Sequence, residues 1–215
     1  VRSPPWRAER SGEEAALIEL YGSPTPNVLK VIILLEEIER RYEIRRVDVW
    51  RGEQFTEAFV ALNPNSKVPV IVDREGLDGE PRTVFESGAI LFSLAEKSGR
   101  FLPGQGWPRY EVMQWLMFQV AGLGPMSGQF NHFHMFAPEG NDYSRSRYTT
   151  ELKRLYGVID RRLSAAAFIG GAAYSIADMS VFPWIRNQAR RFGPDIEWLR
   201  ENSRSHPSLA RWFSV

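Results

Sequence analysis

The stretch NPNSKVPVIVD, residues 63–73, contains a proline that opens an apolar strand. Pro69 follows Val68 directly and leads into the apolar residues of the predicted strand. Such an X-Pro bond can be cis, a rare geometry typical of tight turns, or it can be the trans bond of an ordinary edge-strand proline. In the cis form, the backbone N–H and C=O of Val68 would be free to pair with a peptide-like ligand.

Upstream of this stretch, the sequence predicts a strand, a helix and a second strand. ALIELYG, residues 16–22, is typical of a short buried strand, and YEIRRVDVW, residues 42–50, is the second. The helix between them runs from Pro26 to about residue 41, with apolar residues at helical spacing. Thr25 is a favoured N-cap residue, and a proline at the first helical position loses no hydrogen bond.

Downstream, TVFE (residues 83–86) predicts another strand and SGAILFSLAEKSG (residues 87–99) a helix that ends at a glycine. The turn-rich PGQGWP, residues 103–108, indicates a linker. Beyond it the sequence predicts only helices, over residues 110–123, 148–163, 175–192 and 195–202. The fold class is therefore α/β plus all-α: an N-terminal extension over residues 1–16, an α/β domain over residues 17–100 and an all-helical domain over residues 108–215.

Composition excludes several classes of function. The 215 residues carry 27 basic and 26 acidic side chains, a formal net charge of +1, which argues against a protein that binds nucleic acid through bulk charge. The chain has no cysteine, so it can form no disulfide, no thiolate metal site and no nucleophilic thiol of its own. No apolar run approaches the length of a membrane span, and the N-terminus has no signal-peptide core. We expect a cytoplasmic protein.

Three further motifs have both a structural and a functional interpretation. In FESGAI, residues 85–90, Ser87 either simply caps a helix or, with Glu86, grips an α-amino-acid head group, the helix start binding the carboxylate and Glu86 the ammonium. In YSIADMSVF, Ser175 and Asp178 have the spacing of a capping box, which we interpret as structural. His132 is only two residues from His134, which would place them on different faces of a helix and favours aromatic packing over a metal site.

Taken in this order and spacing, these motifs resemble the glutathione transferase superfamily over nearly the whole chain, from about Ile18 to the end. NPNSKVPVIVD resembles its cis-proline segment, FESGAI its γ-glutamyl-binding helix start and YSIADMSVFPW its N-capping box. YGSPTPN, GEQF and GLGPMSGQFNHF are similar to the Nu-class bacterial enzymes, which act as glutathione-dependent disulfide-bond reductases. The resemblance implies a thioredoxin-like N-terminal domain, an all-helical C-terminal domain and a homodimer.

The resemblance also implies a role for individual residues around glutathione, the co-substrate. The Thr25 hydroxyl and the Asn27 amide would bind the sulfur, and the Val68 backbone would pair with the cysteinyl residue. The remaining contacts would be Gln54 and Lys67 at the glycyl carboxylate, Glu86 and Ser87 at the γ-glutamyl group, and Arg147, or its neighbour Arg145, from the helical domain. No metal is implied.

Other classes of this superfamily use tyrosine or serine on the sulfur, and Tyr21 and Ser23 also lie at the strand end. Thr25 is preferred because the cap position directs its hydroxyl to the positive end of the helix dipole. The second substrate would be an electrophile or a small disulfide, in a pocket whose candidate residues in the helical domain are Trp115, Phe118, Met126 and Phe130. Aromatic residues at helical spacing are more often core than pocket, so these side chains could instead belong to the core.

A glutathione transferase with disulfide-bond reductase activity is the predicted function. The alternatives are a non-catalytic binding or regulatory protein of the same fold and a glutathione-dependent lyase or dehalogenase, which would share the first half of the site.

Overall fold

The computed structural model describes residues 18–192 and 206–213, and its N-terminal half is built on a four-stranded sheet. The strands are β1 (Ile18–Gly22), β2 (Tyr42–Arg46), β3 (Val70–Asp73) and β4 (Arg82–Phe85). Their order in the sheet is β2-β1-β3-β4, with β1 parallel to β2 and antiparallel to β3, and β3 antiparallel to β4. The predicted N-terminal extension, residues 1–16, lies outside the described residues.

Helices cover both faces of this sheet. They are α1 (Pro26–Glu37), α2 (Glu57–Leu62) and α3 (Ser87–Ser98), with a 3-10 turn at Glu53–Phe55. Successive side chains of a strand point to opposite faces, so Ile71 of β3 belongs to the main core with α1 and α3, whereas Val70 packs with Phe59 of α2. The sheet and its helices confirm the predicted thioredoxin-like domain.

The start of α1 follows from two neighbouring residues. Thr25 has extended backbone angles (φ −122°, ψ 158°), and its hydroxyl oxygen accepts a hydrogen bond from the Val28 backbone N–H at 3.3 Å. Pro26 occupies the first turn, where the helix needs no backbone donor. The predicted N-cap is confirmed, and it anchors the first turn of α1 at the end of β1.

Several predicted boundaries in this half were wrong. The first helix, predicted to run from Pro26 to about residue 41, ends at Glu37. The second strand ends at Arg46 rather than at residue 50, because β1 ends at Gly22 and offers only one further hydrogen bond, from the Val47 N–H to the Gly22 carbonyl. Ser87 is the first helical residue of α3 and not its cap; Glu86 occupies the cap position and makes no side-chain capping bond.

Among its described residues, the second half contains no strand, only helices joined by loops and one isolated bridge between Phe168 and Gly171, which confirms the predicted all-helical domain. Its helices are α4 (Trp107–Phe118), α5 (Gly124–Met135), α6 (Asp142–Ala165), α7 (Ile176–Phe192) and α8 (Pro207–Phe213), and a π-helical turn at Gln119–Leu123 joins α4 to α5. α7 packs against α1, α3 and α4, so one apolar core runs through both halves. The helix predicted over residues 195–202 lies outside the described residues.

The sequence did not predict α5. No predicted helix covers the glycine- and proline-containing stretch that follows Leu123. Pro125 lies in the first turn of α5, where proline costs no hydrogen bond. A Cβ at Gly124 would come within 2.7 Å of Gln119 Nε2, so a larger residue there would displace the Gln119 amide.

The capping box of α7 is confirmed as a structural device. The buried Asp178 carboxylate accepts hydrogen bonds from the backbone N–H groups of Ser175 (3.1 Å) and Ile169 (2.7 Å) and from Trp212 Nε1 (3.0 Å). Burial raises the pKa of this carboxyl, while these donors favour its ionised form. Asp178 therefore joins α7 to the preceding loop and to α8.

Among the helices described, none has the length and apolar character that crossing a membrane requires.

Candidate active site

The candidate site begins at Thr25, where α1 starts. Its hydroxyl oxygen is engaged by Val28, but no described residue accepts the hydroxyl proton. The first turn of a helix carries unsatisfied N–H groups and a partial positive charge, which stabilise a nearby anion. Thr25 can therefore donate a hydrogen bond to an anionic ligand at the helix start.

The two alternative hydroxyl groups are engaged elsewhere. The Tyr21 hydroxyl donates to the Glu19 carboxylate at 2.9 Å, and burial together with this bond raises the Tyr21 pKa. The Ser23 hydroxyl donates to the Val47 carbonyl at 2.5 Å and so holds the loop after β2. Of these three hydroxyl groups, only that of Thr25 donates to no described residue.

Asn27, in the first turn of α1, is oriented by the second half of the chain. Trp184 Nε1 of α7 donates to Asn27 Oδ1 at 3.3 Å. This bond occupies the amide oxygen and leaves the Nδ2 donors directed away from Trp184. The sequence analysis missed Trp184 because nothing in the sequence pairs two residues that are 157 positions apart.

The predicted strand entry has the geometry that a peptide-like ligand requires. The Val68–Pro69 bond is cis, and neither backbone group of Val68 hydrogen-bonds to another described residue. The preceding loop is shaped by buried Asn63, whose amide donates to the Lys67 carbonyl at 2.7 Å and accepts from the Asn65 N–H at 2.9 Å.

Glu86 lies beside this loop in an uncommon backbone conformation. Its φ is 67°, a left-handed value that is costly for a residue with a Cβ and that clusters at functional sites. Asn65 Nδ2 donates to Glu86 Oε1 at 3.1 Å and so fixes the exposed carboxylate. Ser87 is buried directly behind it, at the start of α3. The predicted pair is therefore adjacent to Val68, and Asn65 is a further positioning residue that sequence reasoning missed.

The other two predicted residues of the first domain differ in character. Gln54 Nε2 donates to the Val49 carbonyl at 3.2 Å, which leaves its buried Oε1 without a partner among the described residues. A free acceptor suits a ligand N–H rather than the carboxylate that we predicted for this position. Lys67 is exposed and forms no ion pair within the described chain, so it can reach a carboxylate.

Neither predicted arginine of α6 contacts these groups. Arg147 and Arg145 are both exposed. Arg145 acts electrostatically on His134 of α5, whose pKa is lowered mainly by burial, and Arg147 acts on Glu151 of α6. Tyr148 stacks on Phe133 of α5, so the first turns of α6 pack beside α5.

The pocket candidates divide into core and surface. Phe130 is fully buried between His134 and Phe192, so its prediction as a pocket residue was wrong and the core alternative holds. Trp115 packs edge-on against Phe118 and under the Arg162 guanidinium. Phe118 and Met126 are half-buried at the edge of the core and remain candidates.

A buried lysine on α1 was also missed. Lys30 is 1% exposed, and its Nζ donates to Gln119 Oε1 of the π-helical turn at 2.6 Å. Burial lowers the pKa of Lys30 to about 7, partly offset by the Glu86 carboxylate. The signal was a lysine inside the apolar run VLKVIILL, on the face of α1 that carries Val31 and Leu34.

Two other features contain none of the predicted site residues. A cavity of about 930 Å³ is lined by residues of α1, α6, α7 and α8, including Ile33, Glu37 and Phe182.

His134 stacks on the Phe130 ring at 4.0 Å, and His132 meets the Phe133 ring edge-on, which fits the aromatic interpretation of this pair. Residues 18–192 and 206–213 hold no cluster of three or more potential metal ligands.

Comparison with known families places these motifs in context. Residues 16–96 match the family model described as glutathione S-transferase, N-terminal domain, and residues 142–214 match glutathione S-transferase, C-terminal domain. The disulfide-bond oxidoreductase YfcG of Escherichia coli is 43% identical over 201 residues, which cover 91% of this chain and 94% of that protein. The disulfide-bond oxidoreductase YghU of the same organism is 42% identical over 177 residues, covering 79% of this chain and 60% of YghU.

Solved structures of glutathione transferases are also similar to this chain. A glutathione transferase family member from Pseudomonas fluorescens pf-5, with two glutathione molecules bound, has a TM-score of 0.86 and 43% identity, covering 93% of this chain and 87% of that one. A glutathione transferase from Pseudomonas putida, with one glutathione disulfide bound per subunit, has a TM-score of 0.86 and 41% identity, covering 94% and 87%.

Proposed function

The chain belongs to the glutathione S-transferase family, and we propose that it activates the glutathione thiol for disulfide reduction and for transfer to electrophiles. The observation that carries this proposal is the start of α1, where the Thr25 hydroxyl donates to no described residue while the hydroxyl groups of Tyr21 and Ser23 are engaged. The Asn27 amide, held by Trp184, adds a second donor in the same turn.

Glutathione would bind along the edge formed by β3 and the start of α3. The Val68 backbone would pair with the cysteinyl residue, because its N–H and C=O are unengaged beside the cis bond. Glu86 would bind the γ-glutamyl ammonium group, and the N-terminus of α3 at Ser87 would receive the γ-glutamyl carboxylate. Lys67 would pair with the glycyl carboxylate, while Gln54 Oε1 would accept from a peptide N–H.

The contact of the sulfur with Thr25 and Asn27 has a chemical consequence. A free thiol has a pKa of about 8.5, so only a few per cent is thiolate at neutral pH. Two donors and the positive end of α1 stabilise the anion. A fall in the pKa of about one to two units corresponds to about 1.4 to 2.7 kcal/mol and makes the thiolate a large fraction.

Disulfide reduction then proceeds in two exchanges. The glutathione thiolate bonds to one sulfur of the substrate disulfide, the S–S bond breaks, and the other sulfur leaves as a thiolate. A second glutathione thiolate attacks the glutathione sulfur of this mixed disulfide, which yields glutathione disulfide and the second substrate thiolate. Two protons pass from the glutathione thiols to the substrate thiolates. Since the chain has no cysteine, both exchanges involve only glutathione and substrate, in keeping with the two glutathione molecules or the glutathione disulfide in related structures.

Three further features belong to this proposal. One arginine of α6, Arg147 or Arg145, would reach glutathione from the helical domain, since both lie on the first turns of α6 and are exposed. The domain limits would be residues 17–100 and 108–215, because α3 ends at Ser98 and α4 begins at Trp107. A cytoplasmic location would supply the reduced glutathione that the reaction consumes.

We also propose a homodimer. Trp107, Tyr110 and Met117 are all exposed and recur at helical spacing along one side of α4. Phe85 of β4 and Leu77 add exposed apolar surface in the first domain. Apolar side chains of this size on a surface indicate an interface. Light scattering should give twice the chain mass, and a monomeric mass would contradict the proposal.

The experiment for the catalytic role compares Thr25→Ala with Tyr21→Phe. Turnover of a model disulfide and of an aryl halide should fall by about 10- to 100-fold in T25A, in line with the loss of about one to two pKa units of thiol activation. Y21F should keep full activity, because the Tyr21 hydroxyl serves only Glu19. Unchanged turnover in T25A with glutathione still bound would refute the role of Thr25. A native protein that binds glutathione but turns over neither substrate would be a binding protein and not an enzyme.

A further inference from the structure

Lys30 is an ionisable residue at a buried position that packing alone would fill with an apolar side chain. Lysine is almost never fully buried unless it is paired, yet Lys30 is 1% exposed and its Nζ bonds to a neutral amide, Gln119 Oε1, at 2.6 Å. Burying an ammonium group costs free energy that an apolar side chain of similar length would not. The packing of α1 against the π-helical turn therefore does not account for a lysine at this position.

A continuous chain of contacts connects Lys30 to the residues proposed to bind the sulfur. A Cβ at Gly124 would lie 2.7 Å from Gln119 Nε2 and 3.4 Å from Trp184 Nε1, so both of these side chains lie beside Gly124. Trp184 in turn donates to Asn27. Lys30 is three residues after Asn27 on α1, on the same side of the helix, and helical side chains lean toward the N-terminus.

The start of α3 is also near Lys30. Val120, next to Gln119, contacts the first turn of α3, where its Cγ2 would be 2.8 Å from a Cβ at Gly88. The negative charge of the Glu86 carboxylate favours the protonated form of Lys30. Among the described ionisable groups, Glu86 is the one with a resolved effect on the pKa of Lys30. The π-helical turn and α7 present neutral side chains, Gln119 and Trp184. Lys30 thus lies beneath the site, between the starts of α1 and α3.

We propose that Lys30 supplies a buried positive charge that stabilises the bound glutathione thiolate, an inference that rests on the proposed function. Gln119 uses one of the three ammonium donors, and two remain for the ligand or an intervening water. The effect is reciprocal, because a thiolate that is favoured by an ammonium group also favours the protonated form of that group. A unit charge about 10 Å away at an effective dielectric constant of about 20 changes a pKa by about one unit.

The test is a pH titration of bound glutathione, followed by the ultraviolet absorbance of the thiolate. Lys30→Met and Lys30→Gln remove the charge with different polarity, so one variant decides the question if the other does not fold. Lys153→Met, on the exposed side of α6, is the matched control. We expect the apparent pKa of the bound thiol to rise by about one unit in K30M and K30Q and to stay unchanged in K153M.

The possible results separate this inference from the proposed function. A native protein that binds no glutathione would overturn both. Native binding with the same thiol pKa in K30M or K30Q as in the native protein would overturn only the role of Lys30. A weaker affinity with an unchanged thiol pKa would have the same meaning, because a purely structural role alters binding without altering ionisation.

Discussion

Replacing Lys30 by methionine should change how the stability of the protein depends on pH. Methionine fills nearly the same volume without a charge, so K30M isolates the cost of the buried ammonium group. In the unfolded chain, the lysine has its ordinary pKa of about 10.4, whereas burial lowers the pKa to about 7 in the folded protein. Between these values the unfolded chain binds a proton that the folded chain does not.

The sign and size follow from this difference. Since the unfolded state binds more protons above pH 7, the contribution of Lys30 to stability rises with pH and is smallest below the folded pKa. From pH 6 to pH 9, nearly one proton separates the two states over about two pH units, at about 1.36 kcal/mol per unit. The free energy of unfolding of the native protein should therefore rise by about 2.7 kcal/mol relative to that of K30M.

The assay is urea denaturation at pH 6, 7, 8 and 9 with ligand-free protein at one fixed protein concentration. Taking the difference between the native protein and K30M cancels the other titrating groups. K153M should follow the native protein at every pH, because Lys153 is exposed. A difference between the native protein and K30M that stays constant from pH 6 to pH 9 would refute the reasoning, since it would mean that Lys30 carries the same charge in both states.

Three other substitutions test single contacts. Trp184→Phe removes the donor that orients Asn27, and the Kd for glutathione, measured by titration calorimetry, should rise about 3- to 10-fold, as expected for one hydrogen bond of about 1 kcal/mol. Asp178→Asn replaces one acceptor oxygen by an NH2 group that faces N–H donors, so the free energy of unfolding in urea should fall by about 2 to 4 kcal/mol. Glu86→Gly relieves the positive φ of 67°, so thermal unfolding should show a gain of about 1 kcal/mol, while glutathione affinity falls at least about tenfold with loss of the ammonium partner. Equal or tighter glutathione binding in E86G would contradict the assigned role of Glu86.

The parts of the site that follow from local chemistry were predictable from the sequence. Thr25 caps α1 because a threonine precedes a proline at a helix start, and the entry to β3 is recognisable from the single proline before an apolar run. Each of these features depends on residues within a few positions of one another. The same holds for Ser175 and Asp178, which are three positions apart.

The long-range contacts were not predictable, because they depend on how the two halves pack. Trp184 donates to a residue 157 positions earlier, and Lys30 bonds to a residue 89 positions later. The π-helical turn that presents Gln119 has no sequence signature. Gly124, which is typical of a loop, is instead the residue that lets α5 begin close to Gln119.

The two halves of the chain have different roles in the proposed site. Apart from the arginine of α6, the groups proposed to touch glutathione lie in the first domain, at the starts of α1 and α3, beside β3 or, for Gln54, in the 3-10 turn after β2. The second half contributes Trp184 and Gln119, which act on that ligand through Asn27 and Lys30. Because α7 packs against both α1 and α3, a shift of the helical domain would change the orientation of the Asn27 amide and the surroundings of the Lys30 ammonium together. Ionisation of the thiol should therefore depend on the packing between the domains, so substitutions in α7 or in the π-helical turn can alter catalysis without touching the substrate.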